Sequence, residues 1–307
     1  EKRILMRAGV WRYHPTRHKF EVFSRGGSNQ WGIDFNETGH MFITHCRSAW
    51  GKGSTTYVIR NGHYWNQSNS HHASFIASGP AGYNPSTNNK FRNFLLASAF
   101  YGHGEGGAGR AGSRQIYGGH AHVGTMIYLG NNWPSQYRNQ LFTHNLHGHQ
   151  MNREINRRFG SGYETIPSGK DHLYVPSPEF IGVDLKYGPE GAVYFIDWTD
   201  SQHWHNRNLE VWNRADGGVF RMSWKKTFEP GNVDLTSATT QQLVKYVISK
   251  NEWYSRTARR LLHERGDKKA VRFLRRQLKK SNDTAEELRL LWTLHLLGDK
   301  KTIKQSI

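Results

Sequence analysis

The chain has 307 residues, with 42 Lys+Arg against 24 Asp+Glu, 18 His, 32 Gly and a single Cys, for a net charge of +18 with histidine neutral. One Cys excludes a disulfide framework or a cysteine zinc cluster within the chain, and no apolar run reaches the ~18 residues of a membrane span. Aromatic residues make up 13%, which argues against disorder, because these rings bring more buriable area than a solvated chain carries.

Hairpin patterns come first. Gly9–Tyr13, a turn at His14-Pro15-Thr16, and Phe20–Phe23 alternate as two strands. Trp31-Gly32-Ile33-Asp34-Phe35, a turn at Asn36 to Gly39, and Met41-Phe42-Ile43 form a second pair. Thr125–Tyr128 and Gln140–His144, joined through Gly130 to Pro134, form a third. Ile181-Gly182-Val183-Asp184-Leu185, a turn at Tyr187 to Gly191, and Val193–Asp197 repeat the frame of the second, with the turn read as two residues longer. Meandering hairpins of this size predict β-propeller blades, with a β-sandwich as the bland alternative. The Gly-, Ser- and Asn-rich stretch from Ser68 to Gly119 breaks the pattern.

Composition changes after Lys225–Gly231. Residues 231–307 hold 17 Lys+Arg and 8 Asp+Glu, half of the net charge in a quarter of the length. Four helix faces follow: Leu243/Val244/Val247/Ile248, Trp253/Thr257/Ala258/Leu261/Leu262, Val271/Phe273/Leu274/Leu278 and Leu288/Leu291/Trp292/Leu294. Gly266-Asp267-Lys268-Lys269 recurs as Gly298-Asp299-Lys300-Lys301, placing a Gly stop and an Asp start at the same point of two helix pairs. The expected fold is mainly β with a C-terminal α part: a partial six-bladed propeller over residues 1–228, then an α-solenoid of HEAT type over residues 233–307.

Several familiar motifs fail on their context. Gly102–Gly107 fits G-x-G-x-x-G without a framing strand and helix, Lys52 is followed by Gly53 where a P-loop needs Ser or Thr, and Cys46 precedes Arg47 where C-x-x-C-H would need another pattern. Histidines cluster instead. Residues two apart on a strand face one way, so His120 with His122, and His147 with His149, each offer two imidazoles together as bases or ligands, or as hydrogen-bonded fillers of a polar channel. Asp197, Asp200 and His203 form a possible cation site after a strand, or turn caps with a surface histidine.

The runs Gly119–Tyr128, Trp133-Pro134, Tyr137-Arg138-Asn139, His147-Gly148-His149, Val183–Tyr194 and Trp253–Leu262 resemble the large membrane-bound dehydrogenase proteins of planctomycetes and verrucomicrobia. That family joins a propeller similar to the glucose/sorbosone dehydrogenases to HEAT-like repeats and a cytochrome c module. The resemblance implies a partial chain, with further blades before Glu1 and any haem c beyond Ile307. It implies a sugar or alcohol dehydrogenase using pyrroloquinoline quinone and calcium, in the periplasm or secreted, with a carbohydrate or alcohol substrate and a cytochrome c partner. His120 or His122 would be the catalytic base, and Asn29, Trp31, Arg138, His147 and His149 would contact the cofactor. Where the sugar dehydrogenases carry quinone-binding arginines, this sequence has Ser28, Gly182 and Val183. A non-catalytic binding module is the alternative. Nucleic-acid binding, prompted by the +18 charge, is disfavoured because no nucleic-acid motif accompanies it.

Overall fold

The computed structural model describes residues 4, 6, 8–26, 30–45, 55–64, 122–146, 148–168, 171–177, 179–200 and 215–305. The described residues are mainly β, with helices at the C-terminal end. The two glycine motifs and Cys46 lie outside them, as do Ser28, Asn29, His120, His147 and His203.

All four hairpins form. β1 (Gly9–His14) pairs antiparallel with β2 (Lys19–Gly26), which β6 (His63–Tyr64) joins in parallel. β3 (Gln30–Phe35), β4 (Met41–His45) and β5 (Thr55–Val58) make a second sheet. β7 (His122–Ile127), β8 (Gln140–Asn145), β9 (Gln150–Phe159) and β10 (Gly162–Pro167) make a third, with β11 (Leu173–Tyr174) also paired to β9. β12 (Gly182–Tyr187), β13 (Val193–Asp197) and β14 (Gly218–Met222) make a fourth.

The repeated frame is a repeated geometry. The ladders of β3, β7 and β12 each slip once, between Gln30 and Ile33, between Val123 and Met126, and between Gly182 and Asp184. Such bulges bend a strand and strengthen its twist. The turns match as well. Asn36 N–H donates to His40 O and Gly39 N–H to Asn36 O, while Gly188 N–H donates to Ala192 O and Gly191 N–H to Gly188 O. The two extra residues, Lys186 and Tyr187, therefore lengthen strand β12 and leave the turn unchanged, correcting the longer turn read from the sequence.

These three strands lie side by side and run the same way. A Cβ on Gly32 would stand 2.5 Å from Thr125 N, and Asp34 Oδ2 accepts from Ile127 N–H at 2.8 Å. One on Gly124 would stand 2.7 Å from Leu185 Cδ2, and Tyr128 and Tyr187 meet edge-on with ring centroids 5.8 Å apart. Numbers rise together along each pair, so β3, β7 and β12 all begin at one end of the assembly and finish at the other. The apolar core follows them: Met126, Tyr128, Phe142, Met151, Leu185 and Val193 are buried in one cluster.

Four helices pack as two antiparallel pairs, α1 (Thr240–Val247) with α2 (Glu252–Glu264) and α3 (Ala270–Leu278) with α4 (Thr284–Leu296); α5 (Lys300–Gln305) follows. Thr239 and Gln242 close a capping box on α1, Asn251 Oδ1 accepts from Trp253 N–H on α2, and Asp283 Oδ1 accepts from Glu286 N–H on α4. Gly266 and Gly298 stop α2 and α4 at φ 59° and 80°, the left-handed conformation that glycine adopts most readily. On α4 the buried residues are Arg289, Leu290, Thr293 and Leu294, so of the expected Leu288/Leu291/Trp292/Leu294 face only Leu294 is buried. The face is turned because Arg289 is drawn inward by an ion pair with Glu252, both side chains buried.

Candidate functional site

The end where β3, β7 and β12 begin is polar inside. One rung crosses four strands there: His122 opposes Asn145, Asn145 opposes Gln150, and Gln150 opposes Tyr174. His122, Asn145 and Gln150 are all buried, as are His144, His149 and Asn152. Buried polar groups persist where they find partners, and a network supplies them. Gln150 Nε2 donates to Asp171 Oδ2 at 2.6 Å and Asn152 Nδ2 to Asp171 Oδ1 at 2.7 Å. Gln150 and Asn152 reach the same carboxylate because residues two apart on β9 share a face. Gly148 N–H donates to Asn145 Oδ1 at 3.0 Å. His149 has φ 52°, in the left-handed region, and its Nδ1 lies 2.6 Å from Phe180 O.

His144 lies one position along β8, wedged between Phe180 and Phe195 with ring centroids 6.1 and 5.5 Å away. Burial lowers its pKa to about 4, while the Gln150 backbone and the Asp197 carboxylate push the other way. It is a neutral ring near neutral pH. A Cβ on Gly182 would stand 2.3 Å from its Nδ1, so His144 occupies the space a side chain at 182 would need.

The other expected site residues divide between the two ends. Trp31, in β3 near its start, is 43% exposed. Asp197 closes β13: its Oδ1 accepts from Ile181 N–H at 2.6 Å and Thr199 N–H at 3.1 Å, and its Oδ2 from the Thr199 hydroxyl at 2.5 Å. Asp200 is buried, and its N–H donates to Glu179 O. Among the described residues no three His, Cys, Asp or Glu side chains converge to hold a metal. Asp197 caps its turn through these bonds, and His203 of the expected cation site lies outside the described residues. Arg138, expected at the cofactor, lies at the opposite end. It donates from Nε to Glu37 Oε2 at 3.2 Å and from Nη1 to Lys250 O at 2.8 Å, fastening β-region turns to the start of α2.

That opposite end is where the helices dock. Glu252 N–H donates to Leu129 O at 3.0 Å. Asn251 Nδ2 reaches Asn131 Oδ1 at 3.0 Å and Pro189 O at 2.8 Å, and Arg256 pairs with Asp34 at 3.1 Å. Burial works against the Arg256 charge, but Asp34, Tyr187 and Glu252 outweigh it and raise its pKa. Tyr128 anchors the same end. Its hydroxyl donates to Gly191 O at 2.8 Å and accepts from Asn132 N–H at 3.0 Å and Trp133 N–H at 2.7 Å. Burial raises its pKa to about 12, although the two amides pull it down.

Residues 1–217 match the family model described as a domain of unknown function, DUF7133. The chain belongs to the DUF7133 family. No curated protein matches this DUF7133 chain. Solved structures do. A glucose dehydrogenase is 14% identical with a TM-score of 0.37, over 66% of this chain and 43% of its own. A putative oxidoreductase (glucose dehydrogenase) from Thermus thermophilus is 15% identical with a TM-score of 0.38, over 66% and 47%. Another glucose dehydrogenase is 16% identical at the same TM-score and coverage. The DUF7133 chain thus spans less than half the length of these neighbours.

The resemblance seen in the sequence carries with it a quinone whose carboxylates are held by arginines. The residues here do not fit that grip. A bidentate guanidinium has no substitute in glycine, and at position 182 His144 leaves no room for any side chain. Val183 is the neighbouring residue on the same strand. No step through a quinone follows from this arrangement.

Proposed function

We propose that this DUF7133 chain carries part of a diverged propeller of the sugar-dehydrogenase type, followed by the start of a HEAT-like array, and that it binds a neutral sugar or alcohol where β3, β7 and β12 begin. The observation that supports the reading is the rung His122–Asn145–Gln150, backed by Asp171. Imidazole and amide groups donate and accept at once, as a hydroxyl does, and they add no charge that a neutral ligand would have to displace. His122 is the imidazole assigned to the ligand hydroxyl. The reading also carries an envelope location and a redox partner outside the chain.

Calorimetric titration of the protein with glucose, other aldoses and simple alcohols should give saturable binding. Asp171→Ala should weaken it at least tenfold by releasing Gln150 and Asn152. No saturable heat with any sugar or alcohol would overturn the reading. A dye-reduction assay with and without added quinone and calcium then separates an oxidising enzyme from a binding module.

A further inference from the structure

Three guanidiniums and two carboxylates meet where α2 and α4 face the β3–β4 turn. Arg256 pairs with Asp34 at 3.1 Å and with Glu252 at 3.6 Å. Arg289 pairs with Glu252, and its Nη2 is buried without an acceptor. Arg259 forms no ion pair or hydrogen bond with the described residues; its guanidinium lies over the Trp292 ring, 5.3 Å from the centroid. The cluster therefore carries one positive charge more than its carboxylates balance. Burial pushes the Arg259 pKa down, Glu252 opposes that, and Arg256 and Arg289 add to it. A guanidinium does not shed its proton near neutral pH, so the surplus charge attracts an anion.

Space for that anion exists. A groove of about 460 Å³ runs from Phe35 and Gly39 to Arg256, Arg259 and Trp292. Its floor is firm, since Gly39, at φ 81°, sits so close to Trp292 that a Cβ would be 2.8 Å from the ring.

We propose that this groove binds the carboxylate of a small organic acid through Arg259, with Arg256 alongside. A monoanion matches a surplus of one charge, while a phosphate dianion would face Glu252 and Asp34 with a charge to spare. The planar guanidinium fork suits a planar carboxylate. The groove is wider than a bare carboxylate needs, so the acid carries a body of about sugar size resting against Trp292 and Phe35. This site stands apart from the polyol reading, because it lies at the finishing end of the inner strands.

Calorimetry at physiological salt on the full chain tests it with glucuronate, glucose and inorganic phosphate. Glucuronate should bind at least tenfold more tightly than phosphate, and saturating glucose should not displace it. Arg259→Gln should remove that preference and Arg259→Lys should keep part of it, whereas Arg260→Gln, an exposed position one residue on, should leave it intact. Displacement of glucuronate by glucose, phosphate binding as tight as glucuronate, or equal losses in Arg259→Gln and Arg260→Gln would each overturn the proposal. The wild-type comparison decides the matter even where a variant fails to fold. Failure here, with binding of neutral aldoses preserved and still weakened by Asp171→Ala, would sink this site alone.

Discussion

Asp34 and Arg256 tie the sheets to the helices: Arg256 Nη1 donates to Asp34 Oδ1 at 3.1 Å. The same carboxylate accepts from Phe35 N–H at 2.8 Å and, across to the next inner strand, from Ile127 N–H at 2.8 Å. Its counterpart in the repeated frame, Asp184, keeps the local bond to Leu185 N–H at 2.9 Å but otherwise faces Lys186 at 3.6 Å, with 44% of its side chain exposed. The same residue at the same place in the repeat is thus a joint in one copy and a surface group in the other. Asp34→Ala should lower unfolding free energy by about 1–3 kcal/mol, because it leaves the buried Ile127 N–H without its acceptor, while the pair with Arg256, 38% exposed, adds little. Asp184→Ala should cost under about 1 kcal/mol. Urea denaturation of the two variants makes the comparison, and equal losses would contradict the assignment.

Glu252 and Arg289 make the pair that orients α4. Both side chains are buried, at 4% and 3% exposed. Glu252→Gln should destabilise by about 3–5 kcal/mol, because it strands a buried guanidinium. The double variant Glu252→Leu, Arg289→Met should lose less than either single change, since packed apolar groups replace the pair without leaving a charge behind. Thermal unfolding of Glu252→Gln, Arg289→Met and the double variant tests this.

Tyr128 uses its hydroxyl fully, with one donated and two accepted hydrogen bonds. Tyr128→Phe keeps the ring, which stacks on Trp133 at 4.8 Å, but leaves two amides and a carbonyl without that partner. A loss of about 2–4 kcal/mol follows from unsatisfied buried polar groups. A change below about 1 kcal/mol in urea unfolding would show that the 131–133 turn readily finds other partners.

Much of the sheet region is legible in the sequence because several of its strands alternate simply: Val10, Val193 and Phe195 are apolar where the strands turn inward. β9 does not follow this pattern. Its buried positions at the start are Gln150, Met151, Asn152 and Glu154, so one of its two faces is written in polar residues and escapes a hydrophobicity reading. The same cause hides part of the site. His122 and His149 stand out by clustering, but the rung that frames them is made of Asn145 and Gln150, ordinary amides whose partnership with Asp171 depends on strand register. Arg138 lies in a run that carries the family resemblance, which implies a place at the cofactor, and the topology carries it to the helix end. Arg259 has the look of any surface arginine on a basic helix; only the pairing of its neighbours singles it out.

Acid should loosen the core of the third sheet. His144 is held at about 4 by burial. His172 is likewise lowered to about 4 by burial, with Arg153 adding to it, and its ring sits among Trp133, Tyr137 and Phe142. Both folded values lie below the 6.5 of a free histidine, so the unfolded chain binds more protons between those limits. Stability from these sites is complete above about pH 6.5 and drains away as pH falls toward 4, by on the order of 3 kcal/mol for each fully neutral ring. His144→Phe should flatten that part of the stability profile, because the protonating site is gone from both states. Unfolding free energies measured at intervals from pH 7.5 to 4.5 for the wild type and this variant test it. Parallel curves would show that His144 titrates folded much as it does unfolded.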